Sequence, residues 1–153
     1  MKHLLYHSVG KIDCQKNPQE YTIKEVSVFS DSRTYFTKID YIWTLITLGK
    51  YKKIVVLNEE NSLVHTSCVI GKCFKFPFLL RTSAEIGPCH TQKDFRGRGI
   101  YPMVLEYILS SGDYQEYYML VAENNVASIK GIEKAGFQKI GTIAKCCGCW
   151  VKQ

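Results

Sequence analysis

Apolar positions fall into helical spacing at three places along the chain. Phe36, Ile39, Ile42, Trp43 and Ile46 recur every three or four residues with Gly49 behind them, predicting a helix over residues 35–48. Ser30, Asp31 and Ser32 offer its N-cap. Val104, Leu105, Ile108 and Leu109 repeat the spacing over residues 103–109, closed by Ser110, Ser111 and Gly112. A third helix is expected over residues 127–134, capped by Asn125 and stopped by a left-handed Gly136. Between them lie β-branched or alternating runs. Residues 21–29 read as a strand, and residues 53–58 and 63–70 flank Glu59-Glu60-Asn61-Ser62 as a hairpin. Residues 84–91 form a further strand, and residues 117–122 are apolar throughout, as a buried parallel strand is. Short strands over 140–145 and 148–152 finish the pattern. Residues 74–80 read as irregular chain or a short strand. Residues 1–20 carry no clear rhythm beyond a turn at Lys16, Asn17 and Pro18. With no repeat or linker, the reading is one α/β (α+β) domain over residues 1–153, a mixed sheet flanked by helices.

The chain is organised around residues 91–105, T-Q-K-D-F-R-G-R-G-I-Y-P-M-V-L. Gly97 and Gly99 allow a tight turn with no side chain between backbone and ligand. Pro102 suits the first helical position, since its missing N–H would have no partner there. A glycine loop thus opens into a helix N-terminus, where free amides and the helix dipole attract an anion. Arg96 and Arg98 add charge on the same turn. The third glycine of a dinucleotide fingerprint is absent, and no Gly-Lys-Ser/Thr follows as in a P-loop.

Residues 86–100, I-G-P-C-H-T-Q-K-D-F-R-G-R-G-I, resemble the acetyl-CoA-binding motif of the GNAT superfamily of N-acetyltransferases. That motif is Arg/Gln-x-x-Gly-x-Gly/Ala; Arg96 and Gly99 match it, whereas Tyr101 stands at the last small position. Residues 123–137, E-N-N-V-A-S-I-K-G-I-E-K-A-G-F, are similar to the family's second motif, Asn-x-x-Ser followed by Glu-Lys-x-Gly-Phe. Together the motifs cover residues 84–143. The resemblance implies a mostly antiparallel central sheet of six to seven strands, with residues 84–91 and 117–122 as parallel strands splayed apart in the middle. It implies acetyl-CoA as cosubstrate and no metal. The pyrophosphate would rest on the amides of Arg96, Gly97, Arg98, Gly99, Ile100 and Tyr101. Pantetheine would run beside Cys89, His90 and Thr91, with Asn125 and Ser128 near the thiol. The first helix would flank the acceptor, so Tyr35, Tyr41 and Trp43 either line its pocket or, more in keeping with their type, pack in the core.

Acetyl transfer to an amine needs a base, a polarised carbonyl and a stabilised leaving thiolate. Glu85 is the first candidate base, eleven residues before Arg96, a spacing the resemblance links to a catalytic glutamate. His90 is the second; strand alternation puts it on the opposite face from Glu85 unless a bulge intervenes. His65 reads as a strand residue without a catalytic role. Many family members carry a tyrosine five residues before the second motif's phenylalanine, to protonate the thiolate; here Ile132 stands there. Ser128 or Asn125 would take its place near the thiol, with Tyr101 and Cys89 as further possibilities. The implied reaction is transfer of acetyl to a primary amine of a small molecule such as an amino sugar. A protein N-terminal or lysine acetyltransferase and a catalytically reduced CoA-binding module are the alternatives.

Composition narrows the field only modestly. The 153 residues, 46% hydrophobic, suffice for a proper core. The net charge of +6 suits a polyanionic small molecule, while the scattering of lysines and arginines among acidic residues argues against nucleic acid. Seven cysteines without a framework point to reduced thiols, and C-C-G-C at residues 146–149 lacks the second ligand pair of a zinc site. No run approaches the ~20 apolar residues of a membrane span, and the start of the chain lacks a signal-peptide pattern. The expectation is a soluble cytoplasmic monomer or homodimer with no membrane or nucleic-acid partner.

Overall fold

The computed structural model describes residues 3–9, 20–29 and 35–152. The expected cap among Ser30, Asp31 and Ser32 and the turn at Lys16 to Pro18 lie outside them. In chain order the elements are β1 (His3–Val9), β2 (Thr22–Val26), α1 (Lys38–Ile46), β3 (Tyr51–Leu57), β4 (Leu63–Gly71), β5 (Ser83–Thr91), α2 (Ile100–Ser110), β6 (Glu116–Ala122), α3 (Val126–Lys134), β7 (Gln138–Cys146) and β8 (Cys149–Lys152). The strands form one eight-stranded sheet in the order β2-β3-β4-β5-β6-β1-β7-β8. The strand beyond the expected six to seven is β1, read from sequence as patternless. It sits between β6 and β7, antiparallel to both, with Leu4, Leu5 and Tyr6 all buried. A strand covered on both faces has no alternation to read.

The sheet is antiparallel except between β5 and β6. These two pair only at Ser83–Glu116, Ala84–Tyr117 and Glu85–Tyr118 and then part. The splayed parallel strands expected from the resemblance are present. Beyond the split, β5 stays on β4 and β6 stays on β1. Strand β6 is not the fully buried parallel strand its composition predicts. Its burial alternates, with Tyr117, Met119 and Val121 in the core of one face and their neighbours half-exposed on the other.

Two clusters hold the layers. Helices α2 and α3 bring Ile100, Val104, Leu105, Ile108, Leu109 and Ile132 onto one sheet face, against Val69, Ile86, Met119 and Val121. On the other face Tyr51, Cys68, Ile70, Phe76 and Leu79 pack with Trp43 and Phe36. Helix α2 begins at Ile100, earlier than predicted, with Gly99 in a left-handed conformation as its cap. Pro102 is therefore its third residue, still among the positions whose N–H has no helical partner.

Helix α1 departs most from the hydrophobic pattern. Of its periodic residues Ile39 and Ile42 face out, as does Leu45, and Trp43 and Ile46 are half-buried, while Asp40 and Thr44 are buried. The reason is polar. Asp40 completes a capping box with Thr37, receives a hydrogen bond from Tyr51, and pairs with Lys53 Nζ at 3.0 Å. Burial alone would raise its carboxyl, but the donors from Tyr51, Thr37 and Lys53 outweigh that and hold it below the usual carboxylate range. The helix ends as predicted at Gly49, whose amide returns to the Thr44 carbonyl at 2.8 Å.

Replacing Asp40 with alanine leaves the Lys53 ammonium buried without its counter-charge and removes a helix cap. A loss of about 3 kcal/mol is expected, read as a lower urea midpoint with unchanged slope. A midpoint within error of the parent would show that the packing of Trp43 and Phe36 holds α1 in place instead.

Candidate functional site

The glycine loop is the first half of the site. A short turn, Lys93–Phe95, leads from β5 to Gly97 (φ 79°) and Gly99 (φ 77°), a left-handed conformation that glycine adopts without strain. Nothing lies within 4 Å of where a Cβ would stand on either, so the loop faces open space. The first amide returned to the main chain is that of Met103, on the Gly99 carbonyl at 3.2 Å. Among the described residues, the amides of residues 97–101 meet no protein acceptor. Five consecutive free donors at the positive end of an eleven-residue helix form an anion cradle.

Above this cradle lies a cavity of about 660 Å³ between β5, α2 and α3. Of the residues assigned to the cosubstrate, Cys89, His90, Thr91, Arg96, Gly97, Gly99, Ile100, Tyr101, Asn125 and Ser128 line it. Arg98 does not; its guanidinium lies over the Phe95 ring at 5.1 Å. Arg96 folds back so that its Nε donates to the Thr91 carbonyl at 3.1 Å. Lys130 and Lys134 of α3 also line the cavity and escaped the sequence reading. Their spacing of one helical turn on a helix beginning at Val126 was the available signal.

The second half is a cavity of about 370 Å³. It opens where β5 and β6 part, and residues from both sheet faces line it: Met119 and Ile132 from the side of α3, Lys75, Phe76 and Trp150 from the other. It therefore passes through the gap. Cys89, Tyr101, Asn125 and Ser128 line both cavities and mark their junction. Of the three aromatics weighed for the acceptor pocket or the core, Tyr35 and Tyr41 line neither cavity, and Trp43 packs in the core.

Glu85 lies in this second cavity, only 6% exposed. A bulge explains its neighbours. Ile86 pairs with Val69 and Cys89 with Ser67, so Gly87 and Pro88 together stand opposite the single Cys68. The Glu85 carboxyl folds over this bulge, and a side chain on Gly87 would come within 2.6 Å of its Oε1. No described residue hydrogen-bonds to that carboxyl. Burial raises its pKa to about 8, and the nearby Lys75 charge opposes the rise only in part.

The same bulge resets the alternation beyond it. His90 pairs with Thr66, on the face that Glu85 shares with Ile70, but four residues of strand separate those partners by about 13 Å. His90 is exposed and faces the first cavity, so the two candidate bases do not converge. His65 is buried and held at both ring nitrogens, by Thr91 Oγ1 and Ser67 Oγ at 2.7 Å each. Burial, with His90 nearby, lowers its pKa to about 4.

At the junction, Tyr101 hydrogen-bonds to Cys89, which also bonds to Ser67. Burial pushes the Cys89 thiol up to about 12 and holds the Tyr101 phenol above its ordinary value, so both keep their protons at neutral pH. Ile132, in place of the expected tyrosine, is buried in the α3 packing. Beside it Gly131 makes room for the Tyr101 ring: a Cβ there would stand 2.6 Å from Cδ1. A phenol thus reaches this part of the cavity from α2. Ser128 lines the junction, its amide donating to Asn125 Oδ1 at 3.2 Å.

No protein-family model and no curated protein matches the sequence. Solved structures do match. A GCN5-related N-acetyltransferase from Sphaerobacter thermophilus superposes with a TM-score of 0.67 at 16% identity, over 92% of this chain and 49% of its own. A tandem GNAT protein from the clavulanic acid biosynthesis pathway gives 0.60 at 14%, over 90% and 50%. A GNAT-family acetyltransferase from Colwellia psychrerythraea gives 0.58 at 13%, over 90% and 52%. The chain therefore has the fold of the GCN5-related N-acetyltransferases, and it spans about half the length of these structures.

Gly131→Ala is expected to cost about 2 kcal/mol in urea unfolding by forcing the Tyr101 ring aside. In a Tyr101→Ala background the same change should cost almost nothing. Equal costs in both backgrounds would mean that the ring does not depend on Gly131.

Proposed function

We propose that this chain is an acetyl-CoA-dependent N-acetyltransferase acting on a primary amine of a small molecule. The observation that carries the reading is the pair of cavities meeting at Tyr101 and Cys89, one floored by five free amides and the other holding a buried carboxyl. The amides of residues 97–101, with Arg96, Lys130 and Lys134 around them, suit a diphosphate. The backbone of Cys89 to Thr91, released from β6, suits a pantetheine arm lying as an added strand. Ser128 and Asn125 bound the thioester end.

In this reading Glu85 is the general base. It removes the proton of the attacking ammonium, the nitrogen bonds to the thioester carbon, and the carbon–sulfur bond breaks. Tyr101, rather than a residue of α3, supplies the proton to the departing sulfur. His90 stays on the cosubstrate side with no part in proton transfer. The raised thiol of Cys89 argues against an acyl-cysteine intermediate, since the thiolate is the nucleophile. The alternative, a CoA-binding module without turnover, draws on Ile132 standing where the usual acid would be.

Acetyl-CoA titrated calorimetrically should bind in the micromolar range, and thiol release should follow on adding a suitable amine. Absence of heat at high micromolar acetyl-CoA would end the proposal; binding without release across a broad amine panel would leave the module.

A base must be ionised to act, so kcat/KM should climb about tenfold per pH unit up to about 8 and level off above it. Glu85→Gln should remove that limb and lower turnover about 10²- to 10⁴-fold with acetyl-CoA binding intact. Tyr101→Phe should lower kcat more than it changes acetyl-CoA affinity. A full-rate Glu85→Gln enzyme would move the base elsewhere.

A further inference from the structure

The second cavity contains a group that proton transfer does not use. Lys75 lies in the irregular segment between β4 and β5, anchored by the buried Phe76 and Leu79 and by its own carbonyl, which accepts from the Trp150 amide at 2.9 Å. Its Nζ sits over the rings of Trp43, at 4.6 Å from the centroid, and Phe76, at 5.0 Å. Aromatic faces hold a cation in place but leave its three N–H donors without an acceptor. Among the described residues the ion pairs with carboxylates are made by His7, Lys52 and Lys53, and none by Lys75. A half-buried ammonium on a cavity wall without a salt-bridged carboxylate favours an anion from outside.

We infer that the acceptor is an amine that also carries a carboxylate, with Lys75 as the anion subsite and Glu85 receiving the amino end. The inference rests on the acetyl-transfer reading for what happens to the amine, but the subsite itself is a binding claim. Among the described residues Glu85 is the only carboxyl lining this cavity, and near neutral pH its raised pKa keeps it largely uncharged. Lys75 then stands as a positive charge beside it, which the carboxylate end of an amino acid neutralises. The cavity, at about 370 Å³, accommodates a small molecule whose two ends meet the two groups. A neutral amino sugar would leave Lys75 unanswered; an amino acid would not.

The two tryptophans of the chain report on this directly, Trp43 beneath the ammonium and Trp150 in the cavity wall. Glycine, β-alanine and longer ω-amino carboxylates would be titrated into the full chain against alkylamines of the same length, following tryptophan emission. The best amino carboxylate should bind about tenfold tighter than its matched alkylamine, the worth of one charge-assisted hydrogen bond. Lys75→Gln should erase that difference and Lys75→Arg should keep it. Equal binding of the matched pairs, a difference that survives in Lys75→Gln, a phosphate-bearing amine preferred over the carboxylate, or no emission change with any member would each overturn the subsite. Calorimetry with acetyl-CoA on the same wild-type sample tests the acetyl-transfer reading separately: loss of acetyl-CoA binding with the carboxylate preference intact removes that reading and leaves the subsite standing.

Discussion

Two parallel strands that stop pairing after three residues leave main-chain donors and acceptors facing each other across a gap. Such groups cannot stay empty-handed in a protein interior without cost. In this chain β5 and β6 part after Glu85, each secured on its far side by a full antiparallel partner, β4 for one and β1 for the other. The split is therefore rigid rather than frayed. It supplies the cavity that crosses the sheet, the free strand edge beside it, and the direction from which α2 presents its N-terminus. Every chemical feature of the candidate site lies on its rim.

Burial then determines which groups hold protons. Glu85 has no hydrogen-bond donor to stabilise its charge, so desolvation dominates and the carboxyl becomes a base suited to near-neutral pH. Asp40 is also shielded from solvent, yet its donors hold it ionised. The contrast between two carboxyls of one small protein comes from partners and depth together: Glu85 is the more deeply desolvated and Asp40 has the donors. Tyr101 and Cys89 share the desolvated environment of Glu85 and stay protonated, which gives the junction a donor where Ile132 gives none.

The polar interior also explains α1. Ordinary amphipathic packing would turn Ile39, Ile42 and Leu45 inward. The Asp40–Lys53–Tyr51 cluster turns them outward instead, and Trp43 packs inward, forming the surface on which the Lys75 ammonium lies. A structural ion pair and an open subsite are thus neighbours through one aromatic ring.

What the chain determined locally could be read from it directly. Gly97, Gly99 and the apolar spacing behind them specify a tight glycine turn and the helix after it, because backbone freedom and helix periodicity are short-range properties. The same holds for the β3–β4 hairpin, the Asn125 cap and the Gly136 stop. Tertiary structure alone decided the rest. It placed β1 in the middle of the sheet, where burial on both faces erases the alternation that would have revealed it. It turned α1 over, since an ion pair with a residue thirteen positions away outweighed the helix's own pattern. It brought Tyr101 against Gly131, and Lys75 beside Glu85, across separations that no local spacing encodes. Register, bulge and desolvation arise only when distant segments meet, and those are the terms that turn a glycine loop into a site.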